Sequence, residues 1–324
     1  MKIAMVLGAL ALVLAAVGGG ELKLSWRVGK RMPVTAAVAG AMTTRGLVVA
    51  GGTSWRNDDK LWLKEVRLYN VSRDAWSDLP SLPESLGNAA VAAARDAVYV
   101  IGGSDGVSTS NRVYRLRSGA SAWEAGPALP EPRVYAGADA LGSRIFLAGG
   151  SGDVKSTRGT SELWALETAH PGAAWQKLAR LPGRQRTLAG VVAAAGKLYL
   201  FGGYTDVEAG KPANLADAWV YDPAADRWQQ LPDLPVANRY MGVAAWDEDT
   251  ILLIGGALTR SGAADEITDR TWAYHIKAKR FSELARTPGV NAGMAFGRAG
   301  INVVGAGGEP AGKTRSDAVW IATP

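Results

Sequence analysis

The densest chemistry in this 324-residue chain lies near its C-terminal end, in the charged loop Glu309-Pro310-Ala311-Gly312-Lys313-Thr314-Arg315-Ser316-Asp317 that follows Gly307-Gly308. Glu309 and Arg315 stand six residues apart there. Taken by themselves they amount to a surface ion pair, worth at most about 1 kcal/mol. The same stretch matches the phosphate-loop expression G-x-x-x-x-G-K-T from Gly307 to Thr314. A phosphate loop must open a helix whose N-terminal amides face the phosphates. Only ten residues follow Thr314 and they read as one strand, so nucleotide chemistry is set aside.

Other chemistry is bounded by what the chain lacks. With no cysteine, disulfides, thiolate nucleophiles, zinc–thiolate sites and a cysteine–tyrosine copper centre are all excluded. His170 and His275 lie far apart without neighbouring ligands, so neither a metal nor a cofactor is expected. The formal charge of +6 comes from scattered Lys and Arg. No basic run interleaves with aromatics, so nucleic acid is not expected as a partner. A polar set does recur just after Leu-Pro turns: Asn88, Arg133, Arg184, Arg186, Asn238, Arg239 and Asn291. Such residues either line a pocket or satisfy buried backbone carbonyls.

The elements that must carry these residues are written in repeats. Glycine doublets stand at Gly51-Gly52, Gly102-Gly103, Gly149-Gly150, Gly202-Gly203, Gly255-Gly256 and Gly307-Gly308, and subtracting first members gives steps of 51, 47, 53, 53 and 52. Each ends a short apolar run such as Val98-Tyr99-Val100-Ile101. Trp26, Trp76, Trp123, Trp175, Trp228 and Phe281 precede the doublets by 25 to 27 residues. A further strand is expected between each doublet and the next aromatic, over 65–69, 112–116, 162–166, 218–221, 271–275 and 317–321. An Ala/Val/Gly strand is expected between each aromatic and the following doublet.

Four strands per repeat at a period near fifty match the kelch pattern. The fold expected is an all-β, six-bladed kelch β-propeller over 21–324, with small residues on the crowded inner strands and indoles between blades. Its last blade takes three strands from the C-terminal end. The fourth is the N-terminal strand over 24–28, which closes the ring. Lys2 followed by an apolar run over 3–17 and three glycines reads as a signal peptide over 1–20, which implies a periplasmic or secreted protein with no membrane segment after cleavage.

The segment Gly308-Glu309 through Arg315-Ser316-Asp317-Ala318-Val319-Trp320 resembles the last blade of the kelch-type N-acetylneuraminate epimerases, the sialic acid mutarotases. Ala50-Gly51-Gly52 with Trp55, Lys60-Leu61-Trp62, Leu86-Gly87 and Ile101 to Asp105 are similar to the cyclically permuted branch of that family. The resemblance implies an isomerase that interconverts the anomers of a small acidic sugar. Glu309 would be the general acid/base and Arg315 would hold the sugar carboxylate. Arg133, Arg239, Asn88 and Asn238 are the secondary candidates for substrate binding, because a second cation would suit a carboxylated sugar. The resemblance also leaves room for a homodimer. The alternative is a non-catalytic propeller that binds a protein or glycan through its loop face.

Overall fold

A computed structural model describes residues 22–324 apart from 157, 171, 209–210 and 259–265. The leader expected over 1–20 lies outside the described residues. Six antiparallel sheets of four or five strands make up the blades. Blade I comprises Ala37–Thr43, Gly46–Arg56, Val66–Asn70 and Ala75–Leu79, and blade II Ala90–Ala94, Ala97–Ile101, Val113–Arg117 and Glu124–Ala125. Blade III comprises Gly137–Leu141, Arg144–Ala148, Leu163–Glu167 and Gln176–Lys177, and blade IV Gly190–Ala194, Lys197–Phe201, Ala218–Asp222 and Arg227–Leu231. Blade V is Gly242–Ala245, Thr250–Ile254, Thr271–His275 and Arg280–Leu284. Blade VI is Ala295–Ala299, Asn302–Ala306, Val319–Thr323 and the N-terminal Ser25–Val28, which pairs Ser25 with Thr323 through to Val28 with Trp320. The propeller and its closure by the N-terminal strand are as expected.

The repeats need one another because the core lies between blades. Buried apolar side chains form six clusters, one at each blade interface: Val48, Leu68 and Leu86 with Val98 between blades I and II, for example, and Leu24, Leu252 and Ile254 with Val303 between blades V and VI. Every member of the six doublets has positive φ, and a Cβ on Gly51 would lie 2.3 Å from the Leu86 carbonyl oxygen. Only glycine fits such a place.

The repeated indoles do more than fill the wedge between blades. Each tryptophan donates its Nε1–H to a carbonyl of the preceding blade's last connection: Trp26 to Ala285 at 3.0 Å, Trp76 to Lys30 at 2.9 Å, Trp123 to Pro80 at 2.7 Å, Trp175 to Pro127 at 2.9 Å and Trp228 to Ala179 at 2.9 Å. Phe281 has no such donor. The interface between blades IV and V is filled instead by aromatic contacts, with Phe201, Tyr274 and Phe281 ring centroids 4.9 to 6.3 Å apart.

Among the described residues, paired strands follow three of the doublets. One pair is formed by the end of Gly46–Arg56 with Asp59–Trp62, a second by Tyr204–Glu208 with Lys211–Asn214, and a third by Ala257–Leu258 with Glu266–Ile267. They stand on the face that carries Glu309.

Candidate functional site

On that face each blade adds one residue after its doublet, paired back onto the chain entering the innermost strand. These residues are Thr53, Ser104, Ser151, Tyr204, Ala257 and Glu309, opposite Ala37, Gly87, Val134, Thr187, Arg239 and Ala292. Glu309 is the one carboxylate among the six. Its backbone exchanges two hydrogen bonds with Ala292, at 2.8 and 3.0 Å, so its side chain starts from a fixed point at the mouth of the ring.

Arg315 lies 3.1 Å from Glu309, Nη1 to Oε1, with the guanidinium side chain 6% and the carboxylate side chain 25% exposed. The guanidinium crosses from blade VI to blade I. There Nε donates to the Thr53 carbonyl at 3.2 Å and to Thr53 Oγ1 at 3.1 Å, and Nη2 donates to the same hydroxyl at 3.1 Å. Nη1 also donates to the Thr314 carbonyl at 2.6 Å. Trp55 lies 5.8 Å from this cation and 5.7 Å from the Lys313 ammonium.

Lys60 and Tyr240 complete the surroundings of the pair. Lys60 faces Trp55 across the blade I hairpin and rests its ammonium 4.6 Å from the Trp62 ring. Desolvation, and next the Arg315 charge, lower its pKa, while Glu309 pulls it back up. Tyr240 is a left-handed residue whose ring lies against Gly293, where a Cβ would come within 2.3 Å of it. Gly293 adjoins Ala292, the backbone partner of Glu309. The Tyr240 phenol is pushed up by desolvation first and by the Glu309 charge second, so it remains a neutral donor.

Tyr240 also closes the axis. Asn88, Tyr135, Leu188, Tyr240 and Gly293 occupy equivalent places in blades II to VI, all with positive φ. Backbone bonds link each to the next: Tyr135 to Asn88 at 3.1 Å, Leu188 to Tyr135 at 2.9 Å, Tyr240 to Leu188 at 2.9 Å and Gly293 to Tyr240 at 2.8 Å. The Tyr240 hydroxyl reaches from blade V to Asn88 Oδ1 of blade II, three blades away, at 3.5 Å. Beyond this ring lies a central cavity of about 1040 Å³, lined by the small inner-strand residues and opening past Arg45 and Arg298 on the opposite face.

The secondary candidates fall into two groups. Arg133 and Asn238 take the place that Arg186 and Asn291 also take, and all four side chains are buried on internal partners. Arg133 donates to Glu162 at 2.8 Å, Asn238 to the Gly255 carbonyl at 2.9 Å, and Asn291 to the Gly307 carbonyl at 2.9 Å. Arg186 forks onto Asp217 at 2.8 and 2.6 Å and caps the Gly202 carbonyl at 2.9 Å. Of the two readings of this recurrence, the structure shows carbonyl capping and blade bracing at these four positions. Arg239 and Asn88 are placed differently. Arg239 pairs with the post-doublet residue Ala257, stacks 4.1 Å from the Tyr204 ring and donates to Asn214 at 2.7 Å, while Asn88 belongs to the axial ring. Lys60, Trp62 and Tyr240 were not among the expected site residues. For the hairpin a signal existed in Asn57-Asp58 flanked by Trp55 and Lys60-Leu61-Trp62, since Asn tolerates the positive φ such a turn needs. Tyr240 carried none.

Blades closed between the chain ends, with a paired carboxylate and guanidinium at the mouth, define a propeller with a charged site on its loop face. A family profile described as the KLHDC2/KLHL20/DRC7 Kelch-repeats domain matches residues 87–305, and the chain belongs to the kelch-repeat family. It is similar to the N-acetylneuraminate epimerase of Haemophilus influenzae (strain PittEE), 30% identical over 99 residues, covering 31% of this chain and 26% of that protein. The protein of the same name from Yersinia pestis (strain Pestoides F) is 46% identical over 68 residues, covering 20% of this chain and 17% of that protein. That of Pasteurella multocida (strain Pm70) is 32% identical over 99 residues, covering 30% and 26%. The chain thus spans about a quarter or less of the length of the curated relatives it matches.

Proposed function

We propose that this propeller is a mutarotase that interconverts the anomers of N-acetylneuraminate or a related acidic sugar at the Glu309 mouth. The observation that carries this reading is the Glu309–Arg315 pair, set at 3.1 Å on the axial face and anchored across the ring seam by Thr53. Similarity to N-acetylneuraminate epimerases supports the choice of sugar.

Anomer exchange needs a proton removed from the anomeric hydroxyl and a proton delivered to the ring oxygen. Glu309 takes the first. The electrons left on the anomeric oxygen form the carbonyl, the bond from the anomeric carbon to the ring oxygen breaks, and the ring oxygen takes a proton from Glu309. Rotation of the open keto form and the reverse steps close the ring on its other face. Arg315 holds Glu309 in place, and Lys60, Lys313 and Arg315 give the mouth the positive field a carboxylated sugar requires.

Exchange spectroscopy by NMR on N-acetylneuraminate tests the reading. Glu309→Gln should slow protein-catalysed exchange on the order of 10²- to 10⁴-fold, the usual contribution of a positioned acid/base. Wild-type protein that leaves the spontaneous rate unchanged across a panel of acidic sugars overturns it.

A further inference from the structure

We infer that Lys60, rather than Arg315, is the cation that receives the substrate carboxylate, with Arg315 acting as the positioning residue of Glu309. This rests on the mutarotase reading of the same site.

The argument begins with donor accounting at Arg315. A guanidinium has five N–H groups, and its forked recognition of a carboxylate needs two parallel ones. Here Nε–H is spent on Thr53, one Nη2–H on the Thr53 hydroxyl, and the two on Nη1 on the Thr314 carbonyl and Glu309. One Nη2–H is left on a side chain only 6% exposed. A substrate could be forked only by giving up a bond to Thr53, Thr314 or Glu309. Two of the three are the bonds that tie Glu309 to blade I through the guanidinium.

Lys60 has the opposite character. The residue reaches solvent despite the partial burial that lowers its pKa, its ammonium makes no hydrogen bond or ion pair among the described residues, and its only ring contact there is Trp62 at 4.6 Å. Its register partner Trp55 lies 5.8 Å from the Arg315 guanidinium, itself 3.1 Å from Glu309, so the hairpin sets Lys60 at the same mouth as the carboxylate.

The hairpin that carries Lys60 is wedged toward blade II and neighbours the charged loop of blade VI. Toward blade II the Trp62 indole fills a slot where a Cβ on Gly87 would meet it at 2.7 Å and one on Gly106 at 2.4 Å. Toward blade VI, Lys313 lies 3.5 Å from Asp58 at the hairpin tip, and Lys313 and Arg315 flank Trp55. An ammonium with three uncommitted donors at the mouth is what an anionic sugar needs for orientation. The net positive charge of Lys60, Lys313 and Arg315 against Glu309 and Asp58 favours the acid over its neutral ester.

The test measures exchange kinetics by NMR for wild type, Lys60→Gln and Lys60→Arg on N-acetylneuraminate and on its methyl ester, with melting curves to confirm folding. Lys60→Gln should raise KM for the acid on the order of 10- to 100-fold with kcat within about threefold, the loss expected for a hydrogen bond to a charged group. Lys60→Arg should recover most of that loss. On the ester, wild type and Lys60→Gln should be equal. An active wild type whose KM for the acid is unmoved by Lys60→Gln overturns the Lys60 assignment and leaves the mutarotase reading standing. A wild type that neither exchanges nor, by saturation-transfer NMR, binds the acid overturns both. Binding without exchange refutes the reaction alone, and Lys60 is then judged by whether Lys60→Gln weakens binding of the acid but not of the ester.

Discussion

Replacing Arg186 by Met should cost this propeller more than any change at its charged mouth. The Arg186 side chain is 0% exposed and forks onto Asp217 at 2.8 and 2.6 Å while capping the Gly202 carbonyl of the doublet at 2.9 Å. Methionine keeps much of the volume but strands the carboxylate. Removing one partner of a buried pair costs about 3–5 kcal/mol. Asp217 remains 23% exposed and keeps the Trp219 indole at 2.6 Å, which puts the pair near the lower end. The uncapped Gly202 carbonyl adds about 1 kcal/mol. The sum, about 4 kcal/mol, corresponds to a fall in Tm of about 8 °C at the low end of the response for large chains.

Differential scanning calorimetry at pH 7 and again near pH 3 measures it. Burial pushes the Asp217 carboxyl up, but the Arg186 hydrogen bonds and charge, with Trp219, outweigh burial and hold it below the usual carboxylate range. The wild-type pair therefore contributes its stability above about pH 4 and loses it as pH falls through the depressed value. In Arg186→Met the stranded carboxylate is relieved by protonation, so the deficit should shrink in acid. A fall under about 2 °C at pH 7, or a deficit that does not change with pH, refutes the reasoning.

Two further outcomes follow from other parts of the ring. Trp76→Phe keeps the ring against Tyr69, 5.0 Å between centroids, but loses the bond to the Lys30 carbonyl. It should cost about 1 kcal/mol and raise amide hydrogen exchange at the join of blades VI and I, while an unchanged exchange pattern would count against the indoles as inter-blade staples. Asp139 lines the central cavity and accepts from the Ala193 amide of the next blade at 2.8 Å. Desolvation raises its carboxyl to about 6 despite two backbone donors, so the folded state keeps a proton the unfolded chain has already released. Stability should then fall as pH rises from about 4 to 6, a slope that Asp139→Asn should flatten in chemical denaturation.

The architecture was legible because two markers repeat in phase. Doublets and aromatics located the expected strand over 271–275 at Thr271–His275, and the one over 112–116 within a residue of Val113–Arg117. The blade I hairpin was missed because 53–62 is mostly polar and carries no apolar run. The arginines illustrate a different loss. Arg133 and Arg186 stand where a pocket lining would stand, but their partners Glu162 and Asp217 come 29 and 31 residues later, just ahead of the third strand of the blade each arginine leads into. Pairing between segments about thirty residues apart leaves no trace in local spacing. Glu309 and Arg315 were found together because both lie in one loop. Lys60 and Tyr240 reach the same mouth from blades I and V, and only ring closure brings them there.

The tyrosine that spans the axis turns the mouth into a cul-de-sac. Propellers are often pictured as tubes, but here the Tyr240 ring, its hydroxyl 3.5 Å from Asn88 Oδ1, lies between the Glu309 mouth and the large cavity beyond. Whatever enters at Glu309 must leave by the door it came through. On the mutarotase reading, the incoming and the departing sugar would share that one opening.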